Sequence, residues 1–282
     1  MKGKYLFAIV AMALAVYSCG KIGEGEIEED KTPTLETLLY PDLQVGTETP
    51  IDGKNLIGLE WTATNSYIAS INGDKIVPKH VGFTRMKCDL PGFLLTLQVK
   101  PKYNDYDLPI VYLPINSRII SGDKDYYFIE ENEMIWNAAP TTVYLHEHAI
   151  NPSRTREAKS NNTLQVFKTN NVKSPLVAYF FTNQKLTMSG AIIDPAYLSN
   201  LPQFLYERYE VFSVDVNKYS AYFVHKKGTS SEEIIDYVGG LQYYSQLGGV
   251  LLAFMPPDET KATDFESKMA EFATLISTSL NL

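Results

Sequence analysis

Between Leu59 and Val99 the chain switches every few residues between alternating apolar–polar runs and turn residues, and this cadence limits the fold more than any other feature. Leu59-Glu-Trp-Thr-Ala63 alternates and Asn65-Ser66 breaks it. Tyr67-Ile-Ala-Ser-Ile71 resumes, and Asn72-Gly73-Asp74 is a tight-turn signal, because Asn and Gly reach positive φ cheaply. Lys75-Ile-Val77 leads through Val81-Gly82-Phe83 to Thr84–Cys88; Pro91-Gly92 turns again, and Phe93–Val99 closes the series. Short period-2 strands with regular turns and a single tryptophan predict an all-β sandwich over residues 32–102.

The order of these residues resembles the bacterial Ig-like group 2 family. The resemblance rests on Trp61, Thr64-Asn65-Ser66, Ile68-Ala69-Ser70-Ile71, Asn72-Gly73, Lys75-Ile76-Val77 and Val81-Gly82-Phe83-Thr84. It implies an Ig-like sandwich in which Trp61 fills the core and Gly82 lets the chain pass between sheets. Such modules serve as spacers or in adhesion, and none of these positions is a candidate catalyst. The stretch from Leu35 to Leu56 fits the pattern poorly.

Residues 103–282 read as an α+β domain with an antiparallel sheet. Tyr103 to Pro114 is broken by Asp105, Asp107 and Pro109 and reads as an extended crossover. Ser121 to Trp136 fits a helix capped by Asp123 or, through its Tyr-Phe-Ile run, a strand; helix is the expectation. Strands are predicted at Thr142–His146, Leu164–Phe167, Leu176–Phe181 and Leu186–Ile193, with a hairpin turn at Asn183-Gln-Lys185. Asp194-Pro195 starts a helix expected to run to Tyr209, with Leu198, Leu201, Leu205 and Arg208 on one face and a kink at Pro202. Tyr219–His225 is a further strand. Glu233–Tyr244 and Gly249–Met255 form a hairpin, and a capping box at Thr263 and Glu266 opens an amphipathic helix carrying Phe265, Met269, Phe272, Leu275 and Ile276 inward. Ala178–Asn183, Lys185–Ala191, Phe204–Tyr209, Tyr219–His225 and Phe254–Pro256 resemble a body common in Bacteroides lipoproteins, which implies a fold and an address but no activity.

The N-terminus carries that address independently. Lys2 and Lys4 precede an apolar run from Tyr5 to Tyr17, too short to span a bilayer, and Ser18-Cys19 follows. This resembles the lipobox of bacterial lipoproteins, although Tyr17 is larger than usual there. The resemblance implies a signal peptide over residues 1–18, lipid on Cys19 as the membrane attachment, and a location at the outer membrane. Residues 19–31 read as an acidic tether, similar to the surface-export signal of Bacteroidetes lipoproteins, which implies a cell-surface position. With Cys19 lipidated, Cys88 has no partner, and an inert buried thiol is expected. The formal charge of −8 argues against non-specific nucleic-acid binding, which needs clustered basic surface.

Candidate chemistry is sparse. His146-Glu147-His148 would place two imidazoles on one strand face, but without the third or fourth ligand of a zinc site no metal is expected. Glu130, Glu131 and Glu133, with Asp123 and Asp125, could supply a glycosidase-like carboxylate pair, though a solvated face explains them as well. Ser189-Gly190 lacks the strand–elbow–helix context of a hydrolase nucleophile. His225-Lys226-Lys227 reads as a basic spot in a turn, and Asn161-Asn162-Thr163 as a sequon only in hosts that use it. No catalytic residue and no cofactor is expected. The leading functional reading is non-enzymatic binding or adhesion toward a glycan or protein, signalled by a row of exposed aromatics on one sheet face. A glycan hydrolase, signalled by a cleft with paired acidic groups, and a structural accessory component of an envelope complex are the alternatives.

Overall fold

The computed structural model describes residues 36–52, 56, 58–215, 220–257 and 262–281. Cys19, the signal segment and the acidic tether lie outside the described residues, as does the side chain of Thr263. Residues 36–100 form two facing sheets. One holds β1 (Glu36–Gln44), β7 (Phe93–Lys100), β6 (Gly82–Cys88) and β3 (Trp61–Ala63) in that order; the other holds β2 (Thr49–Pro50), β5 (Lys75–Pro78) and β4 (Ala69–Asn72). All pairs are antiparallel except β1 with β7. Ile68, Ala69, Ile76, Met86, Leu95, Leu97 and Val99 fill the space between the sheets. The expected strands and the Gly73-Asp74 turn are all present.

The chain changes sheets between β5 and β6, where Gly82 holds φ +146°, and a Cβ there would lie 2.6 Å from Ile68 Cδ1. Trp61 does not fill the core as expected. It sits on an edge strand, half-buried against the cluster, with its indole N–H lacking a hydrogen-bond partner among the described residues. Cys88 is likewise only half-buried, its thiol reaching Leu90 O at 3.4 Å.

The expected helix at 121–136 is instead a two-stranded arm, β8 (Tyr112–Ser121) and β9 (Lys124–Met134). Gly122 at φ +60° makes the turn. Alternate β9 residues face the first module: Phe128 is buried edge-on to Phe83, and Glu130 pairs with Arg85 at 3.5 Å. Gln98 of β7 accepts from the Ile129 N–H at 2.7 Å, so β7 is covered on both faces.

The predicted strand at 142–146 is also overturned. Pro140–Ile150 is a helix, α1, with Pro140 in its first turn and Ala139 extended before it. Val143 and Glu147, four residues apart, share its buried stripe.

The body is one antiparallel sheet ordered β10 (Thr155–Arg156), β11 (Leu164–Lys168), β12 (Leu176–Thr182), β13 (Lys185–Ile193), β17 (Gly249–Met255), β16 (Ile234–Tyr244), β15 (Ser220–Lys227), β14 (Glu210–Asp215). Asn183 and Gln184 both take positive φ in the β12–β13 turn. Asp194 caps a 3-10 turn over Pro195–Asn200 by accepting from Ala196 N, and α2 (Leu201–Tyr206) restarts at Pro202. The break at Pro202 is as anticipated, but the helix ends three residues short of Tyr209, which feeds the unexpected edge strand β14. The last helix, α3 (Ala262–Leu280), lays Phe265, Met269, Phe272 and Ile276 on one sheet face. On β16, a Cβ at Gly239 would strike the Phe223 ring at 2.0 Å, so only glycine lets that ring lie across the strand.

The opposite face is covered by α1, α2 and the crossover at residues 101–111. The crossover has little regular backbone pairing, and body side chains satisfy its polar groups instead. Glu207 accepts from Lys102 N (3.0 Å) and Tyr103 N (2.9 Å). Ser174 accepts from Asp107 N (2.6 Å), and the Tyr179 hydroxyl from Ile110 N (2.7 Å). Arg154 donates to Leu108 O (3.0 Å). Backbone bonds Ser66 N to Gly228 O (2.9 Å) and Val81 N to Glu207 O (2.8 Å) join the first module to the body, and from Leu35 onward the chain is one compact unit.

Candidate functional site

Three parts of the chain meet around a recess of about 340 Å³, at the small end of the range typical of ligand sites. Val81 comes from the first module, Ile129 and Glu131 from β9, Leu108–Tyr112 from the crossover and β8, Ile150 and Asn151 from α1, and Tyr209, His225, Tyr237 and Phe254 from the body. Each position follows from local structure. Glu131 lies near the base of β9 on the face that turns away from the first module. His225 and Tyr237 face each other across the β15–β16 pair.

His225 organises the interior. It is 2% exposed, and its ring stacks on Tyr237 with centroids 4.7 Å apart and planes within 3°. Tyr67, Tyr112 and Tyr209 approach it edge-on at 5.6, 5.9 and 6.3 Å. His225 Nδ1 lies 2.9 Å from Asp236 Oδ1, and Nε2 lies 3.8 Å from Glu131 Oε2. His80 of the first module stacks on Tyr67 at 3.8 Å and extends the ladder, its Nδ1 2.9 Å from Tyr67 O.

Burial decides the protonation states. It drives His225 down to about 3, helped by His80 and Lys227, so the ring is neutral through the physiological range. Burial lowers His80 as well. It lifts Asp236 to about 7 against two backbone hydrogen bonds, and Glu131 to about 7 against the nearby Lys227. The Glu131 side chain keeps 38% of its surface, but that surface opens into the walled recess, which is why desolvation still dominates. Around His225, the Tyr112 hydroxyl and Asp236 Oδ2 are buried polar atoms without hydrogen-bond partners among the described residues. The Tyr209 and Tyr237 hydroxyls are hydrogen-bonded to each other, and burial raises both.

The other sequence candidates disperse. Two residues apart on helix α1, His146 and His148 project to different sides: His146 is half-buried and His148 is exposed, stacked on Tyr144. Glu147 between them is fully buried and structural. Among the described residues no group of three or more His, Cys, Asp or Glu could hold a metal. Asp125 pairs with Arg118 at 2.6 Å, and Glu133 and Asp123 are exposed. Ser189 is buried within β13, and Asn161 Oδ1 accepts from Thr163 N and Leu164 N in a turn before β11. His225 is not in a turn but in β15, one strand in from the edge of the body's sheet, with Lys226 paired to Glu210 at 2.5 Å.

Only Glu131 of the acidic candidates enters the recess. Sequence reasoning had no means of joining it to Asp236, a hundred residues away. The abundance of tyrosine was the available signal, and three tyrosines of the recess surround one histidine. No protein family, curated protein sequence or solved structure matches this chain.

Proposed function

We propose that this chain is a lipid-anchored outer-membrane protein that binds a small ligand, such as a glycan end, without turnover, in the recess between its β module and its body. The observation that carries the reading is the recess itself: aromatic walls, the inward polar groups Glu131 and His225, and a Tyr112 hydroxyl left unpartnered among the described residues. The flat aromatic platform expected of a glycan-binding sheet is not what supports it. Exposed Tyr127, Tyr197, Tyr206 and Tyr243 stand on different elements, and the converging tyrosines point inward. The Ig-like character of the first module rests on the sequence pattern together with its two facing sheets, and the anchor rests on Ser18-Cys19.

A second reading, hydrolysis of a bound glycan, is favoured by one observation: Glu131 and Asp236 flank His225 with both carboxyls raised to about 7. His225 lies between the two, with Asp236 on Nδ1 at 2.9 Å and Glu131 3.8 Å from Nε2, and only Glu131 lines the recess, so a glycan held there would meet one carboxyl rather than a pair and binding is preferred. The detergent-solubilised full chain titrated on a glycan array should bind saturably with every glycan recovered intact. Recovery of cleaved glycan would establish the enzyme instead. Cys19→Ala should move the protein from the membrane to the soluble fraction; unchanged fractionation refutes the anchor.

A further inference from the structure

Within the recess, hydrogen-bond acceptors lack matching donors. Glu131 presents a carboxyl group that no hydrogen bond reaches among the described residues. In the tautomer that gives the Nδ1 proton to Asp236, His225 Nε2 is a lone pair facing the same space. The hydroxyl of Tyr112, whose residue is only 9% exposed, lines the recess and is buried without a partner among the described residues; Asp236 is on the other ring nitrogen of His225 and is not part of the lining. The nearby cations are already engaged. Arg208 donates to Tyr103 O (3.0 Å), Phe204 O (3.1 Å) and Asn104 Oδ1 (3.3 Å), and Lys226 is held by Glu210 and Glu233. Lys227 is not in the lining but lies near it, its Nζ 5.8 Å from the centre of the Tyr112 ring and close enough to act on Glu131, with no ion pair to a carboxylate among the described residues.

An anion entering this space would meet Glu131 with no free guanidinium to receive it. A neutral sugar would satisfy some acceptors. An ammonium group satisfies them with three donors, supplies the missing counter-charge, and gains from the lining tyrosines Tyr112, Tyr209 and Tyr237, although Tyr209 already stacks one face on Phe223 and Tyr237 one face on His225. We infer that the recess selects a small ligand carrying a primary ammonium group, seated between Glu131 and these tyrosine rings, as on an amino sugar.

This rests on the recess being a ligand site, and it adds the chemical class. The raised Glu131 carboxyl reflects desolvation with only partial relief from Lys227. An arriving ammonium drives its proton off, so binding releases a proton near neutral pH. Lys227, of the same sign as the ligand, opposes it.

The test is calorimetry on the full chain in detergent with three sugars of one ring, D-glucosamine, D-glucose and the bulkier N-acetyl-D-glucosamine, and with cyclohexylamine as an amine lacking hydroxyls. Glucosamine should bind about tenfold tighter than glucose, and acetylation should abolish the gain. Affinity should rise between pH 5.5 and 7 with a proton released into the buffer. Cyclohexylamine retaining the gain assigns the selectivity to the ammonium alone; losing it assigns a share to the sugar hydroxyls, and both agree with the inference. Glu131→Gln should erase the amine preference. Lys227→Met should strengthen amine binding several-fold, a gain that misfolding cannot mimic. Glucose binding as tightly as glucosamine, or weaker amine binding by Lys227→Met, overturns the inference and leaves the recess reading intact. No binding of any probe by the folded chain overturns both.

Discussion

Glu147 is the polar group whose removal should disturb the recess most without touching a ligand. It is fully buried on α1, with Arg154 Nη1 2.5 Å from Oε1 and the Tyr179 hydroxyl donating to Oε2 at 2.6 Å. Tyr179 in turn accepts from Ile110 N, and Arg154 holds Leu108 O. Ile110 and Leu108 are recess wall. Glu147→Gln keeps one acceptor but leaves the Arg154 guanidinium, only 7% exposed, with Asp107 at 4.0 Å as its remaining charge partner. Breaking a buried pair from one side costs about 3–5 kcal/mol, and the retained acceptor places this case near 3. For a chain of this size that lowers Tm by about 6–12 °C. Tyr179→Phe strands the Ile110 N–H and should cost about 1–2 kcal/mol. The two share one network, so the double variant should lose less than the sum by about 1 kcal/mol. Urea titration of wild type, both singles and the double measures all three quantities. A loss below about 1 kcal/mol for Glu147→Gln would mean that solvent reaches the pair, and the account of a dry clamp under the crossover would be wrong.

Gly82→Ala should destabilise by about 2 kcal/mol, because its Cβ falls 2.6 Å from Ile68 Cδ1 at a positive φ; unchanged urea unfolding would refute the tight passage between sheets. The pH dependence has two opposing parts. His225, lowered to about 3, contributes stability that is complete above the unfolded value near ~6.5 and is lost as pH falls toward 3. Glu131, raised to about 7, contributes stability that is complete below the unfolded value near ~4.3 and is lost as pH rises through 7. The stability of Glu131→Gln relative to wild type should therefore climb between about pH 4 and 7 and then level off, and a flat difference across that window would show that Glu131 is ordinarily solvated.

Where the sequence was legible, two signals agreed. In the first module, period-2 alternation coincided with turn residues, and every strand from Trp61 to Lys100 fell where expected. The final helix was plain because its apolar residues lie on one stripe over a single sheet face. The arm at 112–134 was misread because its outer face is also apolar: Tyr127 and Ile129 stay exposed beside buried Phe128, so no alternation shows. Helix α1 was misread for the converse reason. Its buried stripe runs Val143 to Glu147, and a glutamate does not register as core until Arg154 and Tyr179 are seen to satisfy it.

The recess was illegible for a deeper physical cause. Its charged members owe their properties to desolvation, and desolvation is a property of packing between distant segments. Glu131 is one of several acidic residues in β9, and only the bulge between Leu113 and Pro114 and the docking of β9 on the first module bring it over His225. Asp236 and His225 come together through the register of β15 on β16. The crossover that closes the wall has almost no backbone partners of its own, so its course is dictated by Glu207, Ser174, Tyr179 and Arg154, side chains spread over 54 residues of the body. A recess assembled this way depends on those body side chains being in place. Weakening any of those four anchors should therefore loosen ligand binding before it unfolds the sheet.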